Sequence, residues 1–179
     1  MTHITLAVTG SISAYKAADI TSQLTKLGFE VKVLMTPSAQ KFITPLTLQV
    51  LSKNQVELDV MMEDDPQRIE HINIGKETDL FLVAPASANT IAKLAMGLAD
   101  NMVTSTALAL PQRTKKLLAP AMNTKMLEHP ATQRNLKLLQ DYGYQIIQPR
   151  DAVLACGDKG AGALAPVETI VETVKENCL

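Results

Sequence analysis

Residues 3–28 read HITLAVTGSISAYKAADITSQLTKLG. The first seven residues are a short β-rich run that stops at Gly10, and the remainder carries apolar residues near helical spacing until Gly28. The stretch therefore predicts a strand, a tight turn at Gly10-Ser11 and a helix that ends at Gly28. A phosphate group suits such a turn, because free backbone N–H groups and the positive end of the helix dipole are found there.

The same alternation of strand and helix continues along the chain. Further strands are predicted at 30–35, near 56–61, and at 79–84, 116–119 and 144–148, with helices near 44–53, 89–99, 102–110, 133–142 and after Pro166. Residues 149–165 are glycine-rich and are expected to be irregular. Alternating strands and helices predict an α/β fold, a single Rossmann-like, doubly wound domain over residues 1–179 with a parallel sheet.

Composition narrows the class of protein. Hydrophobic residues make up 46% and charged residues 20%, as in globular proteins, and 17 Lys and Arg balance 18 Asp and Glu. Aromatic residues make up only 3%, so neither charge nor stacking favours a nucleic-acid partner. We expect no membrane partner and no leader, because Leu80 to Ala99 is broken by polar residues and the N-terminus lacks a signal-peptide pattern. Two cysteines do not form a disulfide framework, and a cytoplasmic location is expected by default.

In a doubly wound sheet, ligands bind beyond the carboxyl ends of the strands. The turn after the first strand reads GSISAY, with one glycine in place of the G-x-G-x-x-G dinucleotide fingerprint, and Thr36 and Ser38 stand where an acidic residue would bind a ribose. These hydroxyls favour a mononucleotide such as FMN over NAD. The alternative is a plain turn with Ser11 as the cap. Ser87 and Asn123, which follow two later strands, could likewise be only a helix cap and a loop-stabilising residue.

Two further residues could carry chemistry. His71 lies shortly before the strand at 79–84, where a connection could deliver it to the site, although a structural histidine is the simpler interpretation. Cys156 lies in LACGDKGAG, residues 154–162, a glycine-rich segment that could cover a site, although a buried inert thiol is common. No metal site is expected, because no second ligand lies at metal-binding spacing near His71.

Taken together, these segments resemble the flavin-dependent cysteine decarboxylases. The resemblance spans nearly the whole chain and rests on five short segments in order: Gly10-Ser11-Ile12, His71-Ile72, residues 87–90, residues 120–126 and residues 155–158. It implies bound FMN and decarboxylation of 4′-phosphopantothenoylcysteine to 4′-phosphopantetheine, through a thioaldehyde, CO2 loss and re-reduction of the enethiol. It also implies homotrimers that can pack into dodecamers, with FMN and substrate at subunit interfaces.

The resemblance also implies roles for individual residues. His71 would be the catalytic base and Cys156 the proton donor, while Asn123 would bind the substrate carboxylate with Met122 and Met126 beside it. The residues implied for FMN are Gly10, Ser11, Ile12, Thr36, Ser38, Ser87, Ala88, Asn89, Thr90 and Ala121.

The chain departs from the resembled pattern at two positions. Leu127 stands where those proteins often have Trp, and Ala163 stands where they often have Arg, which leaves the contact of the substrate phosphate undefined. Many bacterial members are fused to the ligase that makes the substrate, so we expect that activity on another polypeptide. Two alternatives stay open, a peptidyl-cysteine decarboxylase of lantibiotic type and a non-catalytic flavin-binding regulatory protein. Cys156 argues against the first, and the lack of long acidic or Ser-rich extensions argues against the second.

Overall fold

The computed structural model of the protein describes residues 2–62, 67–155, 157 and 159–178. Its main sheet has six strands, all parallel, in the order β3-β2-β1-β4-β5-β6. These strands are β1 His3–Val8, β2 Glu30–Met35, β3 Val56–Glu57, β4 Leu80–Ala86, β5 Lys115–Pro120 and β6 Tyr144–Ile146. The predicted doubly wound fold is confirmed. The order of the strands reverses between β1 and β4, and ligand sites of such sheets lie at that point.

Helices cover both faces of the sheet. They are α1 Ala17–Lys26, α2 Pro45–Ser52, α3 Glu70–Glu77, α4 Ala88–Met96, α5 Met102–Ala109, α6 Thr124–Glu128, α7 Pro130–Asp141 and α8 Val167–Cys178. Side chains alternate across a strand, so Leu6 and Val8 of β1 enter one core with α1 and α8, whereas Ala7 enters the other with α4 and α7. All seven residues of β4 are buried, as expected for a central parallel strand.

The structure differs from the sequence prediction in four places. Residues 149–165 are not irregular throughout, because β7 Arg150–Val153 and β8 Lys159–Ala163 pair as a two-stranded antiparallel ribbon. The β3 strand is limited to two residues. The short helices α3 and α6 were not predicted, since five to eight residues give too few turns for a helical period. The first helical segment begins as a 3-10 turn, Ile12–Lys16, before α1.

None of the helices in the described part of the chain is long and apolar enough to cross a bilayer.

Candidate active site

The turn after β1 is packed directly against the loop after β2. A Cβ atom on Gly10 would lie 2.5 Å from the Cβ of Ser38, so only glycine allows this approach. Ser11 caps the following 3-10 turn, since its hydroxyl accepts the N–H of Ser13 at 3.3 Å. Thr36 is buried, and its hydroxyl accepts the N–H of Ala39 at 3.3 Å. Three hydroxyl-bearing residues, Ser11, Thr36 and Ser38, thus surround one glycine.

The end of β4 is tied to the end of β1 by a buried threonine. The hydroxyl of Thr9 donates to the carbonyl of Pro85 at 2.6 Å and accepts the N–H of Ser87 at 2.9 Å. Ser87 then caps α4, because its hydroxyl accepts the N–H of Thr90 at 3.2 Å. Ser87 is therefore a helix cap, as the simpler interpretation of the sequence held, and it also lies at the switch point beside Gly10.

A cavity of about 310 Å³ lies between these loops. We call it the hydroxyl cavity, because its lining includes Thr36, Ser38, Ser87, Asn89 and Thr90. Lys93 also lines it but forms an ion pair with Asp100, whose pKa is lowered by this hydrogen bond and by the charge of the lysine. Hydroxyl groups and the start of α4 therefore offer most of the anion-binding capacity here.

The loop after β5 carries the asparagine that the sequence analysis identified. Asn123 caps α6, and its Oδ1 accepts the N–H of Lys125 at 2.9 Å, so the amide has a fixed orientation. Ala121 donates its N–H to the carbonyl of Ala86 at 3.0 Å, which aligns this loop with the end of β4. Leu127, at a position where similar proteins often have Trp, is buried in the core.

The β7–β8 ribbon is docked on the Asn123 loop. The N–H of Met122 donates to the carbonyl of Gly162 at 2.9 Å, and the hydroxyl of Thr124 donates to the carbonyl of Ala161 at 2.6 Å. Gly162 has a φ of +130°, and a Cβ there would lie 2.2 Å from the carbonyl oxygen of Met122. The contact therefore requires glycine both for its backbone conformation and for its lack of a side chain.

A second cavity of about 460 Å³ lies between the ribbon and the loops that carry Gly10, Ser87 and Asn123. We call it the ribbon cavity; its lining is largely apolar and includes Ile12, Ala121, Met122, Leu154 and Ala155. Ser11 and Asn123 also line it, and it shares Gly10, Ser87, Ala88 and Met126 with the hydroxyl cavity. Every residue that the resemblance implied for FMN or for the substrate thus lines one or both of two adjoining cavities.

The two residues with implied catalytic roles are placed differently. Cys156 lies outside the described residues, although its neighbour Ala155 lines the ribbon cavity. His71 is the second residue of α3 and its Nδ1 is buried. Among the described residues that line the two cavities, His71 does not occur. A single chain therefore gathers the binding residues but does not bring His71 to them.

Three further residues that the sequence does not single out also line the ribbon cavity. Tyr15 and Lys16 line the ribbon cavity from the 3-10 turn, and Arg150 lines it from β7. The first two lie in the turn after Gly10, so proximity in sequence could have identified them. Arg150 could not be found in this way, since its position depends on the pairing of a ribbon that the glycine-rich sequence did not predict.

Comparison with protein families gives one match over the whole chain. The sequence profile of the family described as Flavoprotein matches residues 1–179. The probable phosphopantothenoylcysteine decarboxylase of Streptococcus mutans is 64% identical over 173 residues, which cover 97% of this chain and 97% of that protein. The coenzyme A biosynthesis bifunctional protein CoaBC of Bacillus subtilis is 45% identical over 175 residues, but the match covers 98% of this chain and only 43% of that protein.

Solved structures with the same fold cover the chain almost completely. A mutant of PPC decarboxylase in complex with pantothenoylaminoethenethiol superposes with a TM-score of 0.88 and 32% identity, over 98% of this chain and 97% of that chain. The FMN-dependent cysteine decarboxylase SpaF superposes with a TM-score of 0.85 and 26% identity, over 100% of this chain and 98% of that chain.

Proposed function

The chain belongs to the Flavoprotein family, and we propose that it is an FMN-dependent carboxy-lyase that converts 4′-phosphopantothenoylcysteine into 4′-phosphopantetheine in coenzyme A biosynthesis. One observation carries the proposal. A hydroxyl-rich cavity and a larger, mainly apolar cavity adjoin at the switch point of the sheet and share Gly10, Ser87, Ala88 and Met126. The Streptococcus mutans relative, which matches over 97% of both chains, supports the choice of substrate.

The residues present fit FMN. The hydroxyls of Thr36, Ser38 and Thr90 and the start of α4 suit its phosphate, and Gly10 lines the same cavity without a side chain. The apolar lining of the ribbon cavity, from Ile12 to Met126, suits its ring system. When bound, FMN supplies a two-electron acceptor that creates an electron sink next to the substrate carboxylate and later returns the electrons, so that no external reductant is needed.

Asn123 is assigned to the substrate carboxylate. Its Oδ1 is held by the N–H of Lys125, which orients the amide, and the amide NH2 group is a neutral hydrogen-bond donor. A neutral donor positions the carboxylate without the full positive charge that would retain its electrons and oppose CO2 release. Met122 and Met126 line the same cavity and present apolar side chains to the substrate.

His71 is assigned as the base that takes a proton from the substrate, since a neutral imidazole nitrogen can accept a proton. Within one chain it lines neither cavity, so the assignment requires a second subunit. The chain around it exposes Met61, Met62 and Ile69, whose side chains are 84%, 67% and 55% accessible. Exposed apolar groups near His71 suit a protein interface. We assign the protein to a homo-oligomer, a trimer or a dodecamer packed from trimers, in which His71 meets the ribbon cavity of a neighbouring subunit.

Cys156 is assigned as the donor of the proton that the enethiol requires after CO2 loss. It lies between β7 and β8, the two strands of the ribbon, and the adjacent Ala155 lines the ribbon cavity. Of the two strands that flank Cys156 in the sequence, β8 is hydrogen-bonded to the Asn123 loop through Ala161 and Gly162.

The experiment uses purified protein reconstituted with FMN. We expect a yellow protein that releases CO2 from 4′-phosphopantothenoylcysteine and forms 4′-phosphopantetheine, detected by mass spectrometry, without an added reductant. A peptide with a C-terminal cysteine serves as the competing substrate. A colourless protein that does not take up FMN would exclude the flavin assignment, and turnover of the peptide alone would favour the peptidyl-cysteine decarboxylase.

A further inference from the structure

Arg150 begins β7 at the exposed rim of the ribbon cavity, and we propose that its guanidinium binds the phosphate of the substrate. This inference rests on the proposed function, because the ligand it requires is a phosphorylated pantothenoyl chain that occupies the ribbon cavity. The phosphate is the end of the substrate furthest from the reacting cysteine.

The lining of the ribbon cavity differs in charge from that of the hydroxyl cavity. The described residues that line the ribbon cavity include two cations, Lys16 and Arg150, and no carboxylate. In the hydroxyl cavity, by contrast, the positive charge of Lys93 is compensated by Asp100. The described linings of the two cavities therefore differ in their anion-binding chemistry, and that of the ribbon cavity carries two cations beside a mainly apolar surface. A ligand with an apolar body and one anionic end suits that combination.

The two cations are not equivalent. The Nζ of Lys16 lies over the ring of Tyr15, 6.0 Å from its centroid, and the side chain is partly buried. Arg150 is exposed, and across the described ranges its guanidinium has no ion pair or hydrogen bond with another residue. A planar guanidinium offers several N–H donors that match two phosphate oxygens at once. Arg150 is thus the group with the greater capacity to bind a phosphate.

The register of the ribbon explains how Arg150 reaches the cavity. Asp151 pairs with Ala161, but Arg150 pairs with Ala163, so the ribbon contains a bulge at Gly162. Bulges redirect side chains near functional sites. The residue opposite Arg150 is consequently alanine, whose methyl group leaves room beside the guanidinium.

The same bulge fixes Arg150 relative to the reacting end of the substrate. The carbonyl of Gly162 accepts the N–H of Met122 at 2.9 Å, and Met122 directly precedes Asn123. Arg150 pairs with Ala163, the neighbour of Gly162, and Gly162 is hydrogen-bonded to the loop that carries Asn123. Asn123 and Arg150 thus offer one polar group for each anionic end of an extended molecule, and the backbone of both residues is held by the ribbon and the loop on which it docks.

The test compares phosphorylated and unphosphorylated substrates with the FMN-loaded enzyme. For Arg150→Ala we expect the KM for 4′-phosphopantothenoylcysteine to rise roughly 10- to 100-fold, the range of one charge-assisted hydrogen-bonded pair, with kcat nearly unchanged. The kcat/KM for pantothenoylcysteine should stay the same. Arg150→Lys should recover part of the loss, because it retains the charge but not the planar group. The matched control is Lys159→Ala, which removes an exposed cation from the same ribbon outside the described cavity lining.

A binding measurement separates this inference from the proposed function. Calorimetric titration with 4′-phosphopantetheine and with pantetheine requires no turnover, and Arg150→Ala should weaken only the first by a similar factor. An enzyme that decarboxylates neither substrate but keeps this preference in binding would contradict the proposed function and support the role of Arg150. Equal loss for both ligands, or a loss of preference in Lys16→Ala but not in Arg150→Ala, would overturn the role of Arg150.

Discussion

Gly10 and Ser38 approach so closely that a Cβ on residue 10 would lie 2.5 Å from the Cβ of Ser38. The loops after β1 and β2 are therefore in direct contact, and both line the hydroxyl cavity. Gly10→Ala must push these loops apart. We expect a loss of stability of about 1–3 kcal/mol, typical of overpacking, together with a loss of bound flavin. Denaturant titration and the ratio of flavin to protein absorbance measure the two effects.

A second variant tests whether this contact is the cause. Ser38→Gly in the Gly10→Ala background removes the atom that the new Cβ would meet. Stability should return to near that of Ser38→Gly alone, whereas flavin content should recover less, because the Ser38 hydroxyl is absent. Additive losses of stability in the double variant would show that the two residues do not interact in this way.

The location of the site could be predicted from the sequence because one topological rule determines it. The loops at Gly10, Thr36, Ser87 and Asn123 all follow parallel strands, and the carboxyl ends of such strands meet at one edge of the sheet. The pairing of β7 with β8 could not be predicted, since KGAGA has no alternation of polar and apolar residues. Arg150 lies opposite Ala163 only because of that pairing and a bulge at Gly162. The position of Arg150 in the cavity lining could therefore not be predicted from the sequence.

Thr9 should couple the two halves of the sheet at the switch point. Thr9→Val removes the hydroxyl that joins the Pro85 carbonyl to the Ser87 N–H and leaves both groups without this partner. We expect a loss of about 1–3 kcal/mol of stability and weaker FMN binding, since Ser87 lines both cavities. Thermal unfolding and fluorescence titration with FMN measure these changes.

The matched control for Thr9 lies within β1, four residues earlier in the chain. Thr5→Val removes a buried hydroxyl that bonds to the hydroxyl of Thr78 at 2.7 Å. It should reduce stability by a similar amount without changing the affinity for FMN. Equal effects of both variants on FMN affinity would contradict a specific role of Thr9 at the site.

Gly162→Ala should separate substrate chemistry from flavin binding. The new side chain would meet the carbonyl of Met122, and the φ of +130° disfavours any residue with a Cβ, a strain of about 1–3 kcal/mol. The ribbon and the Asn123 loop should shift, so kcat/KM should fall while most of the flavin stays bound. Gly97→Ala also places a Cβ at a positive φ, +67° in the left-handed helical region, but with open space around it, and should retain normal turnover. A Gly162→Ala enzyme with unchanged kinetics would contradict this account of the ribbon.

Subunit mixing tests whether His71 acts on a neighbouring subunit. His71→Asn and Asn123→Ala enzymes should each be nearly inactive. When the two variants are coexpressed in equal amounts, each site takes His71 from one subunit and Asn123 from another. Random assembly should then leave about a quarter of the sites with both residues intact. Activity should recover to that level. No recovery in hybrids confirmed by mass spectrometry would place both residues in one chain.

The thiol of Cys178 gives a prediction about pH. Burial and the charge of Asp79 raise the pKa of this thiol, so it stays protonated in the folded protein at a pH where an unfolded thiol ionises. This contribution to stability is present below the ordinary thiol pKa and is lost as the pH rises through the raised value. Between about pH 8 and pH 9, iodoacetamide should therefore label Cys178 more slowly in folded than in urea-unfolded protein, beyond what accessibility at pH 7 explains.

The carboxylate contribution can be isolated at the same residue. Asp79→Asn removes the negative charge but keeps a side chain of similar size, so the alkylation of Cys178 should begin at a lower pH than in the unmodified protein. Peptide mapping by mass spectrometry assigns the label to Cys178 and separates it from Cys156. An identical pH profile in the variant would mean that burial alone raises the pKa of the thiol.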